Sequence, residues 1–198
     1  MHLEHADDRF SEPSFRTSIA SLVLRLRIYR LRLFPIWPIL AAEDIIASLQ
    51  RDGGDEETYT LANAVAAATM AQLKLDSSSH PDAATGSSLE AECRRARSLI
   101  KDELSGTLNS LRIAFFLHIY HENQEAGGVK SLLYLREAIT LAQIMSLHRE
   151  TAYSTLSTSE QEIRRRILWL LFVTERYSLS NTWFIIGTDF EKGRGDAS

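Results

Sequence analysis

Apolar residues recur every three or four positions along most of this chain, which is the spacing of one face of an α-helix. One such face is formed by Leu132, Leu135, Ile139, Ala142 and Met145. A second is formed by Ile163, Ile167, Leu170, Leu171, Thr174 and Tyr177. Ser157 and Glu160 precede the second face at the spacing of a capping box, which marks the start of a helix. The pattern predicts an all-α fold, an irregular bundle or array of about six to seven helices.

The first apolar segment, residues 14–33, is locally ambiguous. Leu24, Leu26 and Ile28 alternate with arginines, as the residues of a half-buried strand would. The segment is nevertheless long and rich in Leu and Arg, which favours a helix. Residues 34–38 contain two prolines and should end this helix, because proline disfavours helical backbone in the residue before it.

The same first segment carries four arginines, Arg25, Arg27, Arg30 and Arg32. A basic amphipathic helix can lie on a membrane surface or bind in the groove of a partner protein. The simpler interpretation is that the long arginine side chains extend past a buried apolar stripe to reach solvent. We favour the simpler interpretation.

Glycines and polar runs divide the rest of the chain. Residues 77–88 read SSSHPDAATGSS and lack the large apolar side chains that packing requires, so they predict a flexible linker. The polar ends predict a disordered leader over residues 1–13 and a disordered tail over residues 187–198. The other predicted helices span residues 41–50, 59–75, 89–104 and 108–122.

Composition excludes several classes of protein. The 198 residues carry a formal net charge of −4, whereas a nucleic-acid-binding module needs a surplus of Lys and Arg. The most apolar stretch, residues 167–186, is interrupted by Glu175 and Arg176, so no membrane association is expected. Neither a base–nucleophile pair nor a glycine-rich phosphate loop is recognisable. We therefore expect a protein that is not an enzyme.

Three residues were weighed as metal ligands or reactive groups. His118 and His121 lie three positions apart and share one helical face, but the sequence offers no third ligand in a known zinc pattern. We interpret them as surface or core histidines. Cys93 is the one cysteine, which excludes a disulfide or a multi-cysteine zinc site within the chain, and we interpret it as an ordinary thiol.

Two segments carry more than a generic helical pattern. Residues 134–150 read YLREAITLAQIMSLHRE, and residues 162–176 read EIRRRILWLLFVTER. Together they resemble the fungal-specific transcription factor domain, the middle homology region of binuclear zinc-cluster regulators. The segments FPIWPIL (34–40) and LQR (49–51) are most similar to the branch that includes regulators of starch and maltose use. The resemblance covers residues 14–180, and we expect residues 14–186 to be a partial regulatory domain of this kind.

The resemblance implies a nuclear protein that regulates transcription by RNA polymerase II, with carbohydrate-utilisation genes among the candidate targets. Family members read DNA through a six-cysteine zinc cluster that this chain lacks, so we expect neither a cofactor nor direct DNA binding from it alone. The expected partners are other transcription-factor segments or co-regulators, with a small metabolite as a candidate effector. We also expect the domain to be incomplete relative to the family. The alternative is a helical adaptor or scaffold without a transcriptional role.

The resemblance also implies which residues carry structural or regulatory roles. In the first segment these are Tyr134, Arg136, Glu137, His148 and Glu150, and in the second they are Arg165, Arg166, Trp169, Glu175 and Arg176. The polar residues of the first segment could sense a metabolite, but a solvated helix face is the favoured interpretation. We expect Arg165 or Arg166 to pin the second helix to the first, through a carboxylate such as Glu137 or Glu175 or by stacking on Trp169.

Overall fold

The computed structural model describes the backbone of residues 16–75, 84–100 and 106–195 and the side chains of these ranges up to residue 178. Within them it contains seven α-helices, one 3-10 helix and no strand, which confirms the predicted all-α fold. The α-helices are α1 (Ile19–Arg32), α2 (Ala42–Asp52), α3 (Glu56–Leu73), α4 (Gly86–Arg97), α5 (Leu108–Gln124), α6 (Val129–Ile144) and α7 (Thr158–Gly195). The 3-10 helix, Glu150–Tyr153, lies between α6 and α7.

Most helix ends carry the capping groups that the sequence contains. Ser157 accepts a hydrogen bond from the amide of Glu160, and Glu160 accepts one from the amide of Ser157, as the capping box predicted. Helix α2 ends at Gly53, whose φ of 85° is the left-handed conformation that glycine adopts without steric cost. Helix α1 confirms the helical interpretation of the first apolar segment.

Two predicted boundaries differ from the structure around α4. Thr85 caps this helix by accepting from the amide of Ser88, and the Ser88 hydroxyl in turn accepts from the amide of Thr85. Residues 86–88 of the predicted linker therefore form the first turn of α4. Residues 77–83 of the linker and the predicted leader, residues 1–13, lie outside the described residues. The helix ends at Arg97, before the predicted end at residue 104.

The predicted tail also differs, because α7 continues without interruption through Gly195. The polar composition of residues 187–198 predicts a disordered tail instead. Once a helix has formed, each further residue adds one backbone hydrogen bond at a small entropic cost, so glycines near the end weaken it without stopping it. Residues 187–195 are therefore helical in the structure.

Helix α3 is the central element of the fold. Every residue from Thr58 to Ala71 is buried, because α1, α2, α4 and α5 pack around it. Its many alanines leave room for the backbones of the surrounding helices to approach closely. The helix begins at Asp55, whose carboxylate accepts from the amide of Thr58 at 2.6 Å.

The proline-containing segment after α1 packs on α5. The Trp37 ring lies edge-on to the rings of Phe115 and Phe116, with centroids 6.3 Å apart in both pairs. The buried Tyr29 hydroxyl donates to the Trp37 carbonyl at 2.5 Å. The Arg112 guanidinium donates to the Ile39 carbonyl at 2.8 Å, so the segment has fixed positions at both its start and its end.

Arg25 corrects the interpretation of the basic first helix. Its side chain is buried and donates to the Ala84 carbonyl at 2.5 Å, so it ties α1 to the residues that precede α4. Arg27, Arg30 and Arg32 are exposed, as the simpler interpretation predicted. Arg30 pairs with Glu43 of α2.

The burial of α3 generates a stability prediction. Replacing Ala67, which is fully buried, with leucine should lower the free energy of unfolding by about 1–3 kcal/mol, because a closely packed helix cannot accept three extra carbons without displacing its neighbours. The measurement is urea unfolding followed by circular dichroism.

The matched control is Ala91→Leu, because Ala91 lies on the exposed face of α4. This change should alter the unfolding free energy by no more than about 0.5 kcal/mol. Equal effects of the two substitutions would contradict the central position of α3.

Candidate functional site

Helices α6 and α7 pack against each other, and their apolar faces meet. From α6 the buried apolar residues include Leu141 and Ala142, and from the described part of α7 they are Ile167 and Leu171. The predicted α7 face is correct at these two positions and wrong at Tyr177, whose side chain is 64% exposed. The two segments that carry the family resemblance are therefore neighbouring helices.

Arg136 and Glu175 connect these two helices through an ion pair at 3.6 Å. The family resemblance implies a structural or regulatory role for both residues, and the structure brings them together. Arg136 is largely exposed, and solvent weakens an ion pair of this kind. The contact therefore contributes more to the relative orientation of α6 and α7 than to the stability of the fold.

Arg165 fixes the beginning of α7 through a different partner from the one expected. Its guanidinium donates to the Glu150 carboxylate at 2.8 Å and lies 4.9 Å from the centre of the Tyr153 ring. The Tyr153 hydroxyl donates to the Leu147 carbonyl, just after α6. The arginine thus holds α7 to the 3-10 helix. The pairing favours both charged forms, which lowers the pKa of Glu150.

Arg166 makes no such connection, because its guanidinium pairs with Glu162 on its own helix at 3.1 Å. Trp169 is 67% exposed and stacks on Phe172 with ring centroids 5.7 Å apart. The Arg176 guanidinium lies over the Phe172 ring of this pair, 5.1 Å from the ring centre. The expected stacking of an arginine from residues 164–166 on Trp169 is therefore not the observed arrangement.

Glu137 contacts a helix that the sequence did not suggest. Two guanidinium nitrogens of Arg97, at the end of α4, donate to the two Glu137 carboxylate oxygens. The pair is partly buried, which makes a two-pronged contact of this kind a stronger tie than the exposed pairs of α7. It joins α4 to α6.

A cleft of about 450 Å³ lies between α6 and α7. Its walls are mainly apolar, and the predicted residues His148 and Glu175 lie at its edge with Gln143. Volumes of this size are typical of small-molecule pockets, which combine apolar walls with a few polar groups. Of the ten predicted residues, the structure brings only these two to a common cavity.

Tyr134 lies on the opposite side of α6 from the cleft. Its ring stacks on the His121 imidazole of α5, with centroids 5.3 Å apart and planes 7° apart. The His121 Nε2 atom lies 3.3 Å from an oxygen of Glu90 in α4. This group, which we call the α4–α5–α6 cluster, was not predicted as a unit because its members come from three separate helices.

A second buried network connects the end of α5 to the start of α6. His118 Nδ1 lies 3.0 Å from the Ser131 carbonyl, which only accepts, so the proton is on Nδ1. The Ser131 hydroxyl donates to Glu122, and Glu122 also accepts from the amide of Gly127. Burial lowers the pKa of His118 and of His121, so both imidazoles are neutral at pH 7.

The two histidines do not converge on a shared ligand, since His118 faces Ser131 and His121 faces Glu90. In the ranges that the structure covers, no three His, Cys, Asp or Glu side chains are grouped as metal ligands would be. Cys93 is completely buried, which raises the pKa of its thiol to about 12 and keeps it protonated.

The sequence profile of the Fungal specific transcription factor domain matches residues 26–182, from within α1 to within α7. The chain therefore belongs to this family. The match extends over the two segments that carried the resemblance and over the proline-containing segment before α2.

The chain is also similar to curated fungal regulators. It is 33% identical over 156 residues to the probable sucrose utilization protein SUC1 of Candida albicans, covering 77% of this chain and 30% of the relative. It is 34% identical over 154 residues to the maltose fermentation regulatory protein MAL33 of Saccharomyces cerevisiae, covering 77% of this chain and 32% of the relative. The respiratory transcription factor ZNF1 of the same yeast is 27% identical over 153 residues, with coverages of 77% and 33%.

The chain thus spans about a third of the length of the curated relatives that it matches. No solved structure matches it significantly. None of the described helices has an apolar stretch long enough to cross a membrane.

The Arg97–Glu137 contact generates a prediction about the role of the family segments. Arg97→Ala should lower the free energy of unfolding by about 1.5–3 kcal/mol, because it leaves a partly buried carboxylate without its charged donor. Arg166→Ala should change it by no more than about 0.5 kcal/mol, because Arg166 is exposed and pairs within its own helix. Chemical unfolding of both variants measures the difference, and a larger effect at Arg166 would restore the pinning role expected from the sequence.

The His118 network generates a pH prediction. The pKa of His118 in the folded protein is below its ordinary value of 6.5, so the unfolded chain binds more protons as the pH falls. The neutral His118 imidazole therefore contributes to the free energy of unfolding. That contribution is complete above pH 6.5 and is lost as the pH falls from 6.5 toward the lower pKa of the folded protein. The melting temperature should therefore decrease over this window, which differential scanning calorimetry can follow.

His118→Asn keeps a donor where Nδ1 stands and removes the titration, so it should make this pH dependence less steep. His148→Asn, the same substitution at an exposed position, is the matched control. Identical slopes in the wild-type chain and in His118→Asn would exclude a contribution from His118.

Proposed function

We propose that this chain is the regulatory region of a nuclear transcription factor that controls genes of carbohydrate utilisation. The observation that carries the proposal is the family match over residues 26–182, together with relatives whose names refer to maltose and sucrose. The charge of −4 and the single cysteine support the view that zinc binding and DNA recognition belong to other segments or proteins. The role proposed for this chain is therefore regulation and protein interaction, without catalysis.

The arrangement of α6 and α7 supports a regulatory mechanism. Over its described side chains, helix α7 is joined to the rest of the chain by a limited apolar contact and by exposed ion pairs, whereas α3, α4 and α5 share an extensive buried core. Because exposed ion pairs add little stability, a second orientation of α7 lies close in free energy. An effector or partner that binds one orientation more tightly would shift the population toward it.

The aromatic surface of α7 supports a role in protein contacts. Trp169, Phe172, Val173 and Tyr177 are all at least 46% exposed, although large apolar side chains are usually buried. Exposed groups of this kind mark interaction surfaces on soluble proteins. The proposed partners are other segments of the transcription factor or co-regulators.

A tethering experiment tests the proposed function. The full 198-residue chain is joined to an unrelated DNA-binding domain, and a reporter gene is measured in yeast grown on glucose, maltose or sucrose. Reporter output should differ from that of the DNA-binding domain alone, and the difference should depend on the sugar. The dependence follows if an effector shifts the orientation of α7.

The fusion that carries Ala67→Leu is the control for folding and should show a smaller effect, because this substitution lowers the free energy of unfolding. Arg166→Ala is the matched surface control and should retain it. Reporter output equal to that of the DNA-binding domain alone on every sugar would exclude a regulatory role and favour a helical adaptor without a transcriptional function.

A further inference from the structure

Whereas the α6–α7 cavity lies near the end of α6, a second cleft, with a volume of about 510 Å³, lies at the start of this helix. It is formed by Glu90 of α4, by the last two turns of α5 and by the first turn of α6. Its volume falls in the range of about 300–1,000 Å³ that small-molecule sites occupy. The His121 and Glu90 side chains of the α4–α5–α6 cluster line this cleft.

These two side chains are buried and incompletely satisfied. Glu90 is 7% exposed and His121 is 9% exposed. Glu90 Oε1 lies 2.7 Å from Arg94 Nε, an ion-pair distance, and 3.3 Å from the Nε2 atom of the neutral His121. The directions are unfavourable, however, so neither Glu90 Oε1 nor His121 Nε2 has a hydrogen-bond partner among the residues that the structure describes. Buried polar atoms in this condition are uncommon, and a ligand can supply the missing partner.

The surrounding side chains are held in place before any ligand arrives. The stacked Tyr134 ring fixes the plane of His121, and the Tyr120 ring meets the same imidazole edge-on at 5.0 Å. Gly128 allows the chain to pass close to Glu125, because a Cβ atom there would lie 2.9 Å from a Glu125 carboxylate oxygen. Rigid walls of this kind reduce the entropy that binding costs.

The polar groups of the cleft combine donors and acceptors. Glu90 and Glu125 provide carboxylate oxygens, Lys130 provides an ammonium group, and Gln124 provides an amide that both donates and accepts. The two carboxylates disfavour an anionic ligand. Because Arg94 pairs with Glu90 and the Lys130 ammonium lies in the same cleft, their negative charge is offset and a cationic ligand gains little. A hydroxyl group can donate to the carboxylates and accept from the ammonium and the amide.

We propose that this cleft binds a neutral, hydroxyl-rich small molecule, a sugar or a polyol, with Glu90 and Glu125 accepting hydrogen bonds from its hydroxyl groups. The regulatory meaning of this binding rests on the proposed function, but the binding itself does not. A ligand here contacts α4, α5 and α6 together. Binding would therefore act on α6, the helix against which α7 packs.

Calorimetric titration of the full 198-residue chain tests the proposal. The neutral probes are maltose, sucrose and sorbitol, and the charged probes are glucose 6-phosphate and agmatine, all at millimolar concentration. At least one neutral probe should bind saturably, and both charged probes should bind more weakly. Tighter binding of either charged probe would overturn the assignment of a neutral ligand.

Two variants and a control assign the binding to this cleft. Glu90→Gln removes an acceptor and Gly128→Ala displaces Glu125, so each should weaken binding by about tenfold or more. Gln143→Ala alters the cavity between α6 and α7 and should leave the affinity unchanged, with circular dichroism confirming that all three variants are folded. Loss of binding in Gln143→Ala alone, or no binding of any neutral probe to the wild-type chain, would overturn the proposal.

The two proposals fail in different ways. Sugar binding that is sensitive to Glu90→Gln, combined with an inactive reporter fusion, would support the cleft and exclude the transcriptional role. A sugar-dependent reporter response from a chain that binds no sugar would support the transcriptional role and exclude the ligand proposed for the cleft.

Discussion

The alanine-rich helix α3 is surrounded by α1, α2, α4 and α5, so small side chains along its length set how closely the other helices can approach. Its buried polar residues fix the register of these helices. The Asn63 amide accepts from Thr17 and donates to the Tyr59 carbonyl, and the Tyr59 hydroxyl donates to Glu92 of α4 at 2.8 Å. The position of α4, and with it of both clefts, follows from this central packing.

The molecule therefore combines a closely packed centre, which includes α6 on α5, with a helix α7 whose described part is lightly attached. Around α3 the contacts are mostly between fully buried side chains, whereas α7, over the part whose side chains are described, adds two buried apolar residues and a few exposed ion pairs. Local stability differs between such regions, and the least stable elements are those that regulation can move. Helix α6 packs on α5, and the Arg97–Glu137 contact ties it to α4 as well.

Much of the fold could be predicted from short-range patterns, because a helix is determined by residues a few positions apart. The capping box at Ser157, the end of α2 at Gly53 and the buried positions Leu135, Ile167 and Leu171 all follow from local spacing. The family resemblance could be recognised for the same reason, since its two segments are continuous in the sequence. The pairing of their helices was part of that resemblance.

The partners of the charged and polar side chains were decided only by the tertiary structure. Glu137 pairs with Arg97, 40 positions earlier, and Tyr134 stacks on His121 beside Glu90. Such contacts depend on the rotation of each helix about its axis and on the distance between axes, which the packing around α3 sets. The sequence by itself determined the helices, their caps and the family. Only the packed chain determined which polar groups remain buried without a partner, and so where a ligand could bind.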